Sequence, residues 1–89
     1  MPSSGLASYA LSLGHSGELR RGLDLGKKAQ HADPRNPHIY WCLAQLHLIA
    51  GSRSDAVETV ERSLRAVPDN FLMLRMRTQL GVPPPPPLP

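Results

Sequence analysis

The sequence predicts an all-α fold of two helix hairpins and one closing helix, followed by a proline-rich tail, and three observations support it. Pro34 and Pro68 each follow one helical pattern and precede another, so they mark the ends of two segments of equal length. Gly17 and Gly51 divide the two segments at the same relative point. Residue sizes also agree when the segments are aligned on these prolines. Together these features predict a repeated helix–turn–helix unit.

The alignment of the two segments pairs large side chains with large ones and small with small. Leu6 and Tyr40 are both bulky, and Ala10 and Ala44 are both small. The other pairs are Tyr9 with Leu43, Leu13 with His47, Gly17 with Gly51, Gly22 with Ala56, and Gly26 with Val60. Small residues at Ala10 and Ala44 are expected where the second helix of each hairpin crosses the first, at Gly22 and Ala56.

This unit resembles the tetratricopeptide repeat (TPR) family, whose repeat has the same length as the interval from Pro34 to Pro68. The family pattern runs bulky residue, Leu, small residue, bulky residue, Gly, Ala, bulky residue, Ala, Pro. The second unit matches at Tyr40, Leu43, Ala44, Gly51, Ala56, Val60, Leu64 and Pro68, and the first at Leu6, Ala10, Gly17, Ala29 and Pro34. The resemblance covers about residues 3–70. It implies a fragment of an α-solenoid whose first helices line a concave groove that binds peptides.

Residues that begin or end helices set the predicted boundaries. Gly17 and Gly51 suit the positive φ of a helix C-cap, whereas Pro34 and Pro68 stop the second and fourth helices. Start signals are Asn36 with Pro37, Ser52 with Asp55, and Asn70. We predict helices at about 4–15, 18–32, 37–50, 53–66 and 70–80. These helices form one domain of residues 1–81, with repeats at about 3–36 and 37–70 and a closing helix at about 70–80. A proline-rich tail follows at 82–89.

Composition excludes several classes of function. The net charge is +3, but the basic residues are dispersed, so no nucleic-acid partner is expected. Acid–base pairs one turn apart are expected between Asp24 and Lys28, Glu58 and Arg62, and Glu61 and Arg65. With a single cysteine, no signal sequence and no long apolar stretch, the chain is predicted to be cytoplasmic and not to bind membranes.

Gly22 and Gly26 depart from the repeat pattern, because both lie inside the second helix. One interpretation is sequence drift in a weak first repeat. The other is that this small face receives a large neighbour, for which Tyr40 is the expected residue. Each glycine costs up to about 1 kcal/mol of helix propensity relative to alanine.

The resemblance places a partner-binding groove on the first and third helices. The predicted groove positions are Ser4, Ala7, Leu11, Gly14, His38, Trp41, Gln45 and Leu48. Trp41 is the only tryptophan, and it either anchors a ligand or packs between repeats. Positions at which one TPR subgroup clamps the carboxylates of chaperone tails hold Ala7, Leu11, Cys42, Leu72 and Met76. We therefore expect an apolar groove for a peptide or helix, and not a clamp for acidic chaperone tails.

The closing helix begins with apolar residues, which suggests an alternative function. A terminal helix of a repeat array usually has a polar outer face. Here Phe71, Leu72, Met73 and Met76 form a predicted stacking face, through which the chain would self-associate as a homo-oligomer. The alternative is that the last turn of the preceding helix folds over Phe71 and Met73. Two repeats also fall short of the roughly three that such arrays usually need.

No catalytic site, metal site or cofactor is predicted. His38 and Cys42 lie one helical turn apart, but a zinc site needs further ligands and a Cys–His nucleophile needs an orienting group. The tail is interpreted as a polyproline II spacer, with a ligand for proline-binding domains as the alternative. Leu80, Gly81, Val82 and the prolines that follow resemble the ending of small bacterial TPR proteins, which suggests a truncated member of that group.

Overall fold

The computed structural model describes residues 3–81, and the regular structure in this range is entirely α-helical. The predicted tail at 82–89 lies outside the described residues. Every predicted helix boundary lies within one residue of the observed one, which confirms the all-α prediction. The helices are α1 (Ser3–His15), α2 (Leu19–Ala32), α3 (Pro37–Ile49), α4 (Arg53–Ala66) and α5 (Phe71–Gln79).

Local residue chemistry begins and ends these helices as expected. Gly17, Gly51 and Gly81 follow α1, α3 and α5 with φ of 93°, 77° and 76°, a region that side-chain-bearing residues rarely adopt. Asn36 accepts a hydrogen bond from the backbone N–H of His38 at 3.0 Å. Asn70 accepts one from Met73 N–H, also at 3.0 Å. These caps satisfy amides that would otherwise lack partners.

Two predicted polar features differ from the structure. The Ser52 hydroxyl donates to the Asp55 carboxylate at 2.5 Å and does not accept from the backbone, so the predicted capping box is wrong. Of the predicted ion pairs, which all lie within residues 3–81, only Glu58–Arg62 forms, at 2.9 Å, and the structure adds Glu18–Arg21 at 3.5 Å. Both pairs are exposed and contribute little to stability.

The helices pack as a linear array. α1 packs against α2 and α3, and α2 also packs against α3; the same arrangement recurs for α3 with α4 and α5 and for α4 with α5. Within residues 3–81, no helix contacts one more than two places along the chain. α1, α3 and α5 therefore form a continuous row, while α2 and α4 pack against that row without touching each other.

Two buried clusters hold the array together. The first joins α1, α2 and α3 through Ala7, Ala10, Ala29, Ile39, Cys42, Leu43 and Leu46. The second joins α3, α4 and α5 through Tyr40, Ala44, Ala56, Val60, Met73 and Met76. Because α3 contributes to both clusters, it fixes the position of each hairpin relative to the other.

The glycines of the first hairpin are required by close packing. A Cβ on Gly22 would lie 2.6 Å from the Ala10 carbonyl oxygen, and one on Gly26 would lie 2.7 Å from Leu43 Cδ2. Leu46 Cδ2 would also lie 3.2 Å from the Gly22 Cβ. The glycine face therefore does receive large neighbours, and sequence drift does not explain it.

The predicted neighbour of that face was wrong, because Leu43 and Leu46 occupy it and Tyr40 does not. Tyr40 is buried in the second cluster, and its hydroxyl donates to the Pro34 carbonyl at 2.7 Å. This hydrogen bond ties α3 to the loop that precedes it. The phenol thus stabilises the connection between the hairpins.

Replacing Gly22 with alanine should lower the free energy of unfolding by about 1–3 kcal/mol, although alanine favours helix. The new methyl group would collide with a backbone oxygen, which cannot move away without shifting α1. Gly26→Ala is the matched control on the same helix and should cost less, because the ends of Leu43 can rotate. Urea unfolding measures both; a Gly22→Ala variant as stable as the parent would contradict this packing.

Candidate functional site

A cleft of about 220 Å³ lies between α3 and α5. Trp41 and Gln45 line it from α3, one helical turn apart and hence on one helix face. On the opposite wall, α5 contributes four residues at helical spacing: Leu72, Arg75, Met76 and Gln79. The lining combines apolar surface, two side-chain amides and one guanidinium, a composition that suits a ligand with both apolar and polar groups.

Trp41 is held in place from two directions. Part of its side chain packs against both buried clusters. The imidazole of His38 stacks beside the indole, with ring centroids 6.3 Å apart and planes 14° apart. His38 is itself positioned by the Ser8 hydroxyl of α1, 3.0 Å from Nε2. The wall of the cleft is therefore preorganised, and Trp41 is both a packing residue and a cleft residue.

The structure leaves some of the predicted groove residues accessible and buries others. Trp41 and Gln45 lie together in the cleft, and Leu11, His38 and Leu48 keep part of their surface accessible. Ala7 and Gly14, however, are buried in the contact between α1 and its neighbours, so their assignment to an exposed groove was wrong. Small residues at these positions allow α1 to approach α3 closely.

The predicted stacking face on α5 also contains both buried and exposed residues. Met73 is fully buried and Met76 is 3% exposed, because both belong to the second cluster. Their assignment to a free surface was wrong. Phe71 is 78% exposed and Leu72 39% exposed, so only these two of the four residues offer substantial apolar surface.

Arg75 and Gln79 are cleft residues that the sequence prediction missed. They lie one repeat length after Trp41 and Gln45, just as the capping residue Asn70 lies one repeat length after Asn36. Extending the predicted groove by one repeat length, from the third helix into α5, would have found them. α5 thus occupies the position that the first helix of a third unit would take in the array.

The chemistry of Cys42 does not favour nucleophilic catalysis. Its Sγ lies 3.7 Å from Nε2 of His38, but the side chain is 1% exposed. Burial disfavours the charged thiolate and raises the pKa of Cys42 to about 11. Within residues 3–81, His, Cys, Asp and Glu side chains form no group of three that could hold a metal ion.

Comparisons with protein-family models, with curated proteins and with solved structures found no significant match for this chain. The function proposed below therefore depends on the residues and their geometry. Among the helices that the structure describes, none is both long enough and apolar enough to cross a bilayer.

Cys42 should react slowly with a thiol reagent such as DTNB in the native protein. Raising its pKa from 9.0 to about 11 reduces the thiolate fraction at about pH 8 by roughly 100-fold. The rate of labelling in buffer is compared with that in concentrated urea, which exposes the thiol and restores its ordinary pKa. Equally fast labelling in both would contradict the burial of the thiol and its raised pKa.

Proposed function

We propose that this chain is a TPR-type protein interaction module that binds a peptide or helical segment along the row formed by α1, α3 and α5. The observation that carries this proposal is the cleft between α3 and α5, where a preorganised Trp41 faces accessible surface of Leu72. Aromatic anchors in such clefts commonly dominate binding to protein partners.

The extended repeat register supports the TPR assignment. Two pairs of residues one repeat length apart in α3 and α5 have the same environment: Ile39 and Met73 are fully buried, and Cys42 and Met76 are nearly so. Asn36 and Asn70 both cap their helices through Oδ1. A spacing that preserves burial and capping in successive helices is what a stack of equivalent repeats requires.

The cleft chemistry favours a polypeptide ligand. Gln45 and Gln79 each offer an amide that can donate to and accept from a peptide backbone. The same row of helices continues past the cleft to Leu48 and Leu11, which gives an elongated ligand further apolar contacts. The proposed function needs no catalytic step and no cofactor. We propose the cytoplasm as its location.

A second candidate function is self-association through α5, and the exposure of Phe71 favours it. At 78% accessible, Phe71 exposes more of its surface than the other large apolar residues in residues 3–81. Contact with a second copy would remove this surface from water. In that case the chain would act as a stacking subunit.

Adjacent residues on α5 distinguish the two candidates. We expect Leu72→Ser to abolish capture of a specific partner from a lysate, because Leu72 lines the cleft, whereas Phe71→Ser leaves capture unchanged. The captured proteins are identified by mass spectrometry, and circular dichroism confirms that both variants fold. Trp41→Ala is avoided because it would also disrupt both core clusters.

Sedimentation of the same two variants tests the alternative. Loss of capture with Phe71→Ser but not with Leu72→Ser, together with a dimer that Phe71→Ser dissociates, would contradict groove binding and favour stacking.

A further inference from the structure

The acidic residues are segregated from the row of helices that forms the cleft. None of the seven aspartates and glutamates lies in α1, α3 or α5. Asp24 lies in α2, Asp55, Glu58 and Glu61 lie in α4, and Glu18, Asp33 and Asp69 lie in connecting segments. The three helices of the proposed binding row therefore carry no acidic side chain of their own.

Basic side chains remain on that row, and the guanidinium of Arg75 lies at the cleft. Arg75 is exposed, and among the described residues no carboxylate approaches it within 4.0 Å. Among the arginines of residues 3–81, only Arg21 and Arg62, on α2 and α4, pair with a glutamate, so what distinguishes Arg75 is its position at the cleft. Arg75 is thus a cation whose carboxylate partner is not supplied by residues 3–81.

Arg75 stands one helical turn from Leu72, and both face Trp41 and Gln45 across the cleft. A ligand that fits this wall needs an apolar side chain about one turn away from a carboxylate. We propose that the cleft binds an acidic amphipathic segment of another protein, with its carboxylate paired to Arg75 and its apolar face on Trp41 and Leu72. This inference rests on the proposed function and adds the chemistry of the partner.

Charge complementarity favours such a segment over two other occupants. Two copies meeting through α5 would bring together the Arg75 and Arg77 side chains of both chains, and neither α5 carries an acid to offset them. The segment 82–89 contains valine, leucine and proline but no acidic side chain. Neither occupant supplies a side-chain carboxylate for Arg75.

The test uses the full 89-residue chain and its single tryptophan as the reporter. Three tryptophan-free amphipathic peptides of about 12 residues, roughly the length of α3, carry Leu and Ala on one face and only Glu, only Gln or only Lys on the other. Trp41 fluorescence is titrated with each peptide. The Glu peptide should bind at least about tenfold more tightly than the Gln peptide, and the Lys peptide should bind most weakly.

Charge reversal separates a specific pair from general attraction to a basic protein. Arg75→Glu should weaken binding of the Glu peptide by about tenfold or more and improve binding of the Lys peptide. Arg77→Glu is the matched control, because it changes the net charge equally on the same helix but lies outside the cleft lining. It should change binding of the Glu peptide by less than about threefold.

Distinct outcomes would overturn this inference. Equal binding of the Glu and Gln peptides, or equal effects of the two variants, would contradict an ion pair between Arg75 and the ligand. Peptide binding at the cleft would not be contradicted by that result. A change in Trp41 emission with protein concentration alone would indicate that a second copy occupies the cleft. A change in Trp41 emission on deleting residues 82–89 would indicate that the tail occupies it. If none of the three peptides binds at millimolar concentration, peptide binding at the cleft fails as well.

Discussion

The contact of Leu46 with the glycine face of the first hairpin determines how the rest of the molecule is arranged. Leu46 Cδ2 meets the position that a Cβ on Gly14 of α1 would occupy, and it also approaches Gly22 of α2. Leu46 is fully buried there, so its branched end fills the space that the missing side chains leave. A helix with alanine at those positions could come as close to α3 only if the Leu46 side chain shifted.

This close approach has a structural consequence for the candidate site. It brings Ser8 of α1 within hydrogen-bonding distance of His38, and His38 in turn stacks beside Trp41. The opposite side of α3 packs against α4 and α5 through Tyr40 and Ala44. The position of Trp41 is therefore set by helices on both sides of α3, and a cleft wall held in this way loses little freedom when a ligand binds.

The helices were predicted from the sequence to within one residue because their ends depend on local chemistry. Asn36, Asn70, Gly17 and Gly51 act through their own backbone and side-chain atoms, and no distant residue is needed. The register also predicted correctly that the second helix crosses the first at Ala10 and Gly22, where a Cβ would meet the Ala10 carbonyl oxygen. In these cases short-range sequence information was sufficient.

The site was less predictable because burial depends on how closely helices approach. Repeat register places Ala7 on the same row as Trp41, but it does not reveal that α3 covers an alanine at that position. Residues 71–74 of α5 are all apolar, so the sequence does not show in which direction the helix packs, and the structure places Met73 and Met76 in the core. Arg75 was missed for a different reason, since the predicted groove included only the first and third helices and left out α5.

A double-mutant cycle on Gly14 and Leu46 tests the central packing claim most directly. In the parent protein, Gly14→Ala should lower the free energy of unfolding, because the new methyl group meets Leu46 Cδ2. In a Leu46→Val background, which shortens that side chain, the same change should raise it, with a coupling of about 1–2 kcal/mol measured by urea unfolding. Equal effects of Gly14→Ala in both backgrounds would contradict the account.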